Sequence, residues 1–423
     1  MTVPVDAVLV GAGQRGREAF GAFALRNPDL LRFVAVAEPN AERREHFARQ
    51  HGIPADRCFA SWTELADRGP LAPLAFNTTQ DRDHYSSALA LLAAGYHLFL
   101  EKPMATSPQE CLAIREAALR HQRMIQICHP LRFSPFYQRI QELLRSGILG
   151  RILSISMAEN IGYWHYAHSF VRGNWSRQST SGPLMLTKCC HDMDIATWLA
   201  GAPATSVSSH GSRQFFRREN EPDGAADRCL AGCQAAPTCA YNASAAYLTE
   251  QPREDWPYSV VSLDPHPEVR LKALLEGPYG RCVFRCDNDV VDQQALVATF
   301  PNGQLLDFTV RATSYHLHRT IRIQGTRAEL NGHFEKNEIQ ILPHRQGIDP
   351  TPQPLIFHTE PLAGGHGGGD EGAARNFLRC YRENDVTSLR ESLDIAVAGH
   401  LLAFAAEDAR VQGRSVQPLR FLD

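Results

Sequence analysis

A short apolar run, Val5 to Val10, opens the chain and delivers it into Gly11-Ala12-Gly13-Gln14-Arg15-Gly16, after which the pattern turns helical to about Arg26. A second apolar strand, Phe33 to Ala37, ends at Glu38. The pattern then alternates through a helix at Ala41 to His51, a strand at Leu74 to Asn77, a helix at Asp83 to Ala94 and a strand at His97 to Leu100. This is the rhythm of a parallel, doubly wound α/β sheet. Ligands of such sheets sit beyond the carboxyl ends of the strands. Three segments fall there and are expected to line one cleft: Asn77-Thr78-Thr79-Gln80, Glu101-Lys102-Pro103 and Cys128-His129-Pro130.

The glycine turn has the chemistry of a dinucleotide site. Gly11 permits a tight turn, Gly13 lets backbone amides approach a pyrophosphate, and Gly16 lets the helix sit close on the strand. The helix N-terminus favours the anion. Ala12, Gln14 and Arg15 complete the loop, and Glu38 stands where a carboxylate accepts from an adenosine ribose, which favours NAD over NADP. Arg43 and Arg44 either meet a phosphate or form the solvated face of a helix.

With 423 residues, the chain is long enough for two ordinary domains. The expected division is a Rossmann domain over 1–130 and a substrate-binding and oligomerisation domain over 131–423. A balance of 43 basic against 46 acidic residues, without long runs, predicts neither a nucleic-acid nor a membrane partner but a small molecule. No basic leader and no long apolar stretch is seen, so a cytoplasmic location with reduced cysteines is expected.

Two stretches in the second half carry further chemistry. Tyr163, Trp164, His165 and Tyr166, followed by His168, Arg172, Asn174 and Trp175, are dense in aromatic and hydrogen-bonding groups. They suit a sugar, whose C–H faces stack on rings while its hydroxyls meet polar groups, or equally an oligomer contact. Farther on, Gly364 to Gly369 surround His366 and precede Asp370, a glycine density that marks a hinge or a close backbone approach. Of the eleven cysteines, Cys229, Cys233 and Cys239 cluster within a Cys-rich insert at about 215–290, which also holds Cys282 and Cys286. The insert has little hydrophobic period, and a structural zinc on Cys229, Cys233, Cys239 and Cys282, with Cys286 as the other fourth ligand, would offset a thin core. Buried thiols are the alternative, and an iron-sulfur cluster a more distant one.

Several motifs in order resemble the glucose-fructose oxidoreductase, inositol dehydrogenase and rhizopine-catabolism (Gfo/Idh/MocA) family. They are Gly11 to Gly16, Thr79 to His84, Ala94-Gly95-Tyr96-His97 through Glu101-Lys102-Pro103, His191-Asp192-Met193-Asp194 with Trp198-Leu199, and Gly325 to Leu330. The resemblance implies an N-terminal Rossmann domain followed by an α+β domain with a large, mainly antiparallel open sheet whose exposed face makes a homodimer or homotetramer. It implies NAD-dependent hydride transfer at a sugar or polyol hydroxyl. Thr78, Thr79, His84, Glu101 and Lys102 would then serve the cofactor, and Lys102 and His191 the reacting hydroxyl, with Tyr163, His165, Arg172, Asn174, Trp175, Asp192 and His366 toward the substrate. The family's usual D-x-x-x-H pattern is broken, because Thr187 stands in place of the aspartate. Either His191 works without that partner or Lys188 assumes the electrostatic task. On a helix, Lys188, His191 and Asp192 would cluster on one side, and Asp194 would pair with His191 at i, i+3 spacing.

A dehydrogenase or ketoreductase that releases oxidised or reduced sugar is the leading expectation. A glycoside-cleaving enzyme that oxidises a sugar carbon transiently, eliminates the aglycone, adds water and re-reduces the ketone with the same NADH is the second. An NAD-sensing regulator is the third.

Overall fold

The computed structural model describes residues 3–348, 351, 353–360 and 364–422. Six parallel strands, β1 (Val5–Val10), β2 (Leu31–Ala37), β3 (Cys58–Phe59), β4 (Leu74–Asn77), β5 (His97–Leu100) and β6 (Ile125–Ile127), form a sheet in the order β3-β2-β1-β4-β5-β6. The order reverses beside β1, and that switch point is where a doubly wound sheet opens a crevice. The strands are near-continuous apolar runs because helices cover both faces.

One face is built on phenylalanine. Phe20 and Phe76 both pack on Phe99, with centroids 5.0 and 4.8 Å away, and Phe377 reaches Phe99 at 5.7 Å. Phe377 belongs to the late helix Gly369–Glu383, which also buries Ala373, Ala374 and Leu378 in this cluster. Each fully buried phenylalanine contributes about 1.5–3 kcal/mol. The chain therefore crosses back over the expected division at residue 130 to complete the first core, and in doing so carries Asp370 to the crevice.

The second sheet contains β7 (Ile152–Gly162), β8 (Ser206–Ser212), β9 (Gln293–Thr299), β10 (Leu305–Ser314), β11 (His318–Gly325), β12 (Ala328–His333), β13 (Glu338–Pro343) and β14 (Leu355–His358). Its order is β14-β13-β12-β11-β7-β10-β9-β8. All neighbours are antiparallel except β7 and β10. Strict alternation along β9 and β10 turns Leu296, Ala298, Leu306 and Phe308 inward and leaves Val297 and Leu305 exposed. The inner face is closed by the helices Cys190–Ala200 and Val386–Gln412.

The Cys-rich insert lies between β8 and β9. It holds three helices, Ala243–Tyr247, Tyr258–Val261 and Pro267–Glu276, around a core of only Ala243, Tyr247, Leu274 and Tyr279. Among the described residues, no helix is long and apolar enough to cross a membrane.

Candidate active site

At the end of β1, Gly11 adopts φ +89°, and a Cβ there would stand 2.5 Å from the Thr78 carbonyl oxygen. Glycine is required. A Cβ on Gly16 would collide with the Gly11 carbonyl, so helix and strand pack too closely for any side chain. Gly13 differs: nothing lies within 4 Å of where its Cβ would be. Its opening faces a cavity rather than protein, which fits a pyrophosphate approached by backbone amides. Glu38 is buried at the end of β2, where it accepts from the Ala12 amide at 2.7 Å and the Asn40 amide at 2.9 Å. The residues present thus fit a dinucleotide. Arg44 donates to the Glu38 carbonyl oxygen at 2.6 Å and braces the turn, whereas Arg43 lines the cavity.

Thr78, Thr79, Glu101 and Lys102 come to the same cavity from the ends of β4 and β5, with Gln14 and Arg15 from the glycine turn and Asn174 and Trp175 from the aromatic loop. Lys102 is fixed at two points. Its Nζ donates to the Thr187 carbonyl oxygen at 3.1 Å and lies 5.3 Å from the centre of a Trp175 ring. Trp175 Nε1 in turn donates to Asp81 at 2.8 Å. Thr187 therefore contributes its backbone to the site, while its hydroxyl turns back to the Pro183 carbonyl.

Behind Lys102 lies a buried group of imidazoles. His191 is 5.1 Å from His366 and 5.8 Å from His129 between ring centroids. Burial, with Lys102 and His366 next in effect, holds His191 well below the usual imidazole range, which favours its neutral form. Its Nδ1 is buried without a hydrogen-bond partner. Cys190 completes this group: donor atoms of His129, Cys190 and His191 lie within 4.8 Å of one another. Burial pushes the Cys190 thiol up to about 12, which keeps it protonated. His165, also depressed by burial, senses Lys188 next.

The expected cluster of Lys188, His191 and Asp192, with Asp194 paired to His191, is not formed. Lys188 precedes the helix Cys190–Ala200, and its Nζ stands 3.3 Å from Glu159 of β7. Asp192 meets Arg319 of β11 at 3.0 Å, and Arg319 also meets Glu159 at 2.7 Å. Asp194 turns the opposite way to pair with Arg132. Burial, opposed by Arg319, lifts Asp192 to about 6. Asp192 is thus sealed behind the site rather than presented to a substrate. Lys188 is 13 % exposed in its side chain and remains at the surface of the group.

Other expected residues are placed differently. His84 is buried beside the cavity, its ring bridging the Pro103 and Thr79 carbonyls at 2.6 and 3.2 Å, so it clamps two cofactor loops together. Cys128, His129 and Pro130 turn into the interior instead of lining the cleft. Arg172 is spent under the insert on the carbonyls of Arg281 and Tyr241 at 2.8 and 2.7 Å, which removes it from the substrate position. Tyr163 faces a second groove. His366 is held by Asp370 at 3.2 Å, and Arg15 joins Asp370 and Glu101, each at 2.7 Å. Glu159, Arg319, Asp81 and Trp256 were not foreseen. Glu159 and Arg319 carried a readable signal, since each falls in period two with apolar residues, Ile155, Met157 and Ile161 on one strand and Ile321 and Ile323 on the other.

All eleven cysteines are free thiols. Cys229, Cys233, Cys239 and Cys282 line one small cavity, whereas Cys286 donates to the Cys282 carbonyl and stands apart. No three of those sulfurs come within 4.8 Å of one another; among the described residues only His129, Cys190 and His191 do so. Tetrahedral zinc with bonds of about 2.3 Å would need sulfurs roughly 3.8 Å apart. The predicted thiols therefore converge without forming a closed zinc site.

A switch-point cavity fitted to a dinucleotide, with a lysine held at its inner end, defines an NAD-binding oxidoreductase. The chain belongs to the Gfo/Idh/MocA family: residues 5–129 match its NAD-binding Rossmann fold and residues 141–393 its C-terminal alpha/beta domain. The putative oxidoreductase YteT of Bacillus subtilis is 27% identical over 308 residues, 69% of this chain and 68% of that protein. Inositol 2-dehydrogenase 2 of Saccharopolyspora erythraea is 32% identical, over 32% of this chain and 37% of its own length. The fold is also that of levoglucosan dehydrogenase in complex with NADH and levoglucosan (TM-score 0.70, 18% identity, 98% of this chain and 99% of that one). The super-repressor mutant of Gal80p from Saccharomyces cerevisiae shares it too (TM-score 0.70, 14% identity, 100% of this chain and 99% of that one). The fold alone thus does not separate enzyme from regulator.

Proposed function

We propose that the protein is an NAD-dependent oxidoreductase acting on a secondary hydroxyl of a sugar, sugar derivative or polyol. The observation that carries this reading is Lys102, an ammonium held between the Thr187 carbonyl and the Trp175 ring in the cavity that Gly13 opens onto. NAD held by the Gly11–Gly16 turn and Glu38 would supply the hydride acceptor. Lys102 hydrogen-bonds the reacting oxygen and offsets its developing negative charge, while neutral His191 receives the proton. Lys188, anchored on Glu159, adds positive potential, and Asn174 and Trp175 orient the ring. The same geometry disfavours a purely regulatory role, which has no use for a pinned lysine beside a proton acceptor.

A second reading is favoured by one observation. The insert contributes Trp256, Ser259, Val260 and Tyr279 to the cavity lining, so a dinucleotide held there would also contact the insert. Retained NADH suits a redox-neutral glycoside cleavage, in which the hydride taken from the sugar is returned to the ketone after aglycone loss and water addition. Incubation with NAD and a panel of free sugars and aryl glycosides separates the two. Accumulating NADH supports the dehydrogenase; aglycone release without net NADH supports the glycosidase; neither product from any substrate overturns both.

We further propose that the insert thiols Cys229, Cys233, Cys239 and Cys282, which line one cavity, draw together around a structural zinc. A homodimer or homotetramer through the exposed sheet face and a cytoplasmic location complete the proposal.

A further inference from the structure

The turn after β4 sets Asp81 on the wall of the cofactor cavity, with Lys102, Asn174 and Trp175. Asp81 is only 9% exposed, and a carboxylate so placed is costly unless something holds it. The nearby Glu101 is held by Arg15 at 2.7 Å. Asp81 has no such cation: among the described residues its one hydrogen-bond donor is the Trp175 indole, whose Nε1 reaches Oδ2 at 2.8 Å. Burial lifts the Asp81 carboxyl, opposed in turn by His84, Lys102 and the indole bond.

Asp81 and Lys102 follow adjacent strands, β4 and β5, whereas Trp175 and Thr187 follow β7. Two hydrogen bonds bridge these parts of the chain, Trp175 to Asp81 and Lys102 to the Thr187 carbonyl. They meet at one point, because the Lys102 ammonium also lies 5.3 Å from the centre of a Trp175 ring. Asn174 adds a longer tie, its Nδ2 standing 3.5 Å from Gln80 Oε1. The order is thus carboxylate, indole, ammonium. An indole freed from Asp81 would be able to change rotamer, and Lys102 would keep only the Thr187 carbonyl.

We infer that Asp81 is a positioning residue for the reaction: by accepting from Trp175 it holds the indole against the Lys102 ammonium, and so keeps Lys102 aimed at the reacting oxygen. The inference rests on the reading of Lys102 as the group that meets that oxygen. An amide oxygen accepts from an indole N–H as a carboxylate does, so the claim concerns the hydrogen bond rather than the charge.

The test uses the full chain loaded with NAD and three variants. Asp81→Ala removes the acceptor, with Asp81→Val in its place should that variant not fold; Asp81→Asn keeps an acceptor; Trp175→Phe keeps a ring but has no N–H. The first readout needs no substrate. The chain has four lysines, Lys102, Lys188, Lys272 and Lys336, so lysine isotopically labelled at Cε gives a short NMR spectrum in which Lys102→Arg identifies the Lys102 signal. The ring current of Trp175 should displace that signal in the wild type and in Asp81→Asn, and the displacement should be lost in Asp81→Ala.

The second readout is turnover, as NADH or aglycone, on whichever free sugar or aryl glycoside reacts fastest. Asp81→Ala should lower kcat about tenfold or more, the scale of a slightly misplaced catalytic group, while Asp81→Asn stays within about threefold of wild type. Asp81→Ala combined with Trp175→Phe should be no slower than Trp175→Phe alone, because the carboxylate then has no indole to hold. Near-normal kcat in Asp81→Ala, asparagine as damaging as alanine, additive losses in the double variant, or a Lys102 signal unmoved by Asp81→Ala overturns the inference. If the signal moves in Asp81→Ala and not in Asp81→Asn, yet no sugar yields NADH or aglycone, the brace on Lys102 stands and the oxidoreductase reading falls.

Discussion

The ammonium of Lys102 donates to the backbone carbonyl of Thr187 at 3.1 Å, so the residue that replaces the family's aspartate acts through its main chain. Removing the threonine side chain leaves that bond in place. Thr187→Ala should therefore lower turnover by only a few-fold, whereas Lys102→Ala and His191→Ala should each lower it by about 10²-fold or more, the usual scale for a positioned acid-base group. Steady-state kinetics on the first substrate identified would check this, with NAD affinity measured alongside. Near-normal turnover in either of the last two variants would remove that residue from the chemistry.

Glu38 should set the choice of cofactor. Its carboxylate, fixed by the Ala12 and Asn40 amides, accepts from a ribose diol and repels a 2′-phosphate. NAD should bind far more tightly than NADP, and Glu38→Ser should narrow the gap. Equal affinities in the wild-type protein would contradict this.

Asp370 carries stability with a definite pH dependence. Burial alone would raise its carboxyl, but Arg15 and His366 hold it well below the usual range. A carboxylate with a depressed folded pKa stabilises the fold above its unfolded value of about 3.9, and loses that contribution as pH falls through the folded value. Removing the carboxylate by Asp370→Asn should cost about 1–3 kcal/mol near pH 7, because Arg15 keeps Glu101 as a partner. Denaturant titrations at several pH values should show the difference from wild type shrinking in acid; a difference that grows in acid would contradict the pairing.

Elemental analysis should find about one zinc per chain, and Cys239→Ser should lower metal content and stability together. Any folded fraction of that variant should still bind NAD, because the thiol cavity is separate from the glycine turn. Because His129, Cys190 and His191 also cluster, Cys190→Ser is the control and should leave the zinc in place. A metal-free wild-type protein would refute the insert site.

The first sheet was legible because period, glycine chemistry and strand ends all depend on local sequence. Val5–Val10, Leu74–Asn77 and His97–Leu100 appear as expected, whereas β2 begins at Leu31, Arg15–Gly21 is a π-helical turn, and the short strands Cys58–Phe59 and Ile125–Ile127 were not foreseen. The site was legible where a residue sits beside its motif, as Gly13, Glu101 and Lys102 do. It was not legible where partners come from distant strands. Asp192 and His191 are neighbours in sequence, yet Arg319, 127 residues on, draws Asp192 away, and Arg132 does the same to Asp194. Helical spacing says which side chains share a face, but not which buried charge waits opposite them. Arg172 illustrates the same limit: its polar loop suggested a substrate contact, whereas two carbonyls beneath the insert claim it.

The most direct test of the central claim follows the hydride itself. The NAD-loaded protein would be incubated with C-deuterated saccharides, quenched in alkali, and the reduced cofactor analysed by mass spectrometry. Both the dehydrogenase and the redox-neutral cleavage pass through the same transfer, so either predicts reduced nicotinamide carrying one deuterium in the wild-type protein and at least about 10²-fold less in Lys102→Ala. Reduced cofactor without deuterium, no reduced cofactor with any saccharide, or equal labelling in Lys102→Ala would contradict hydride transfer from a sugar at Lys102.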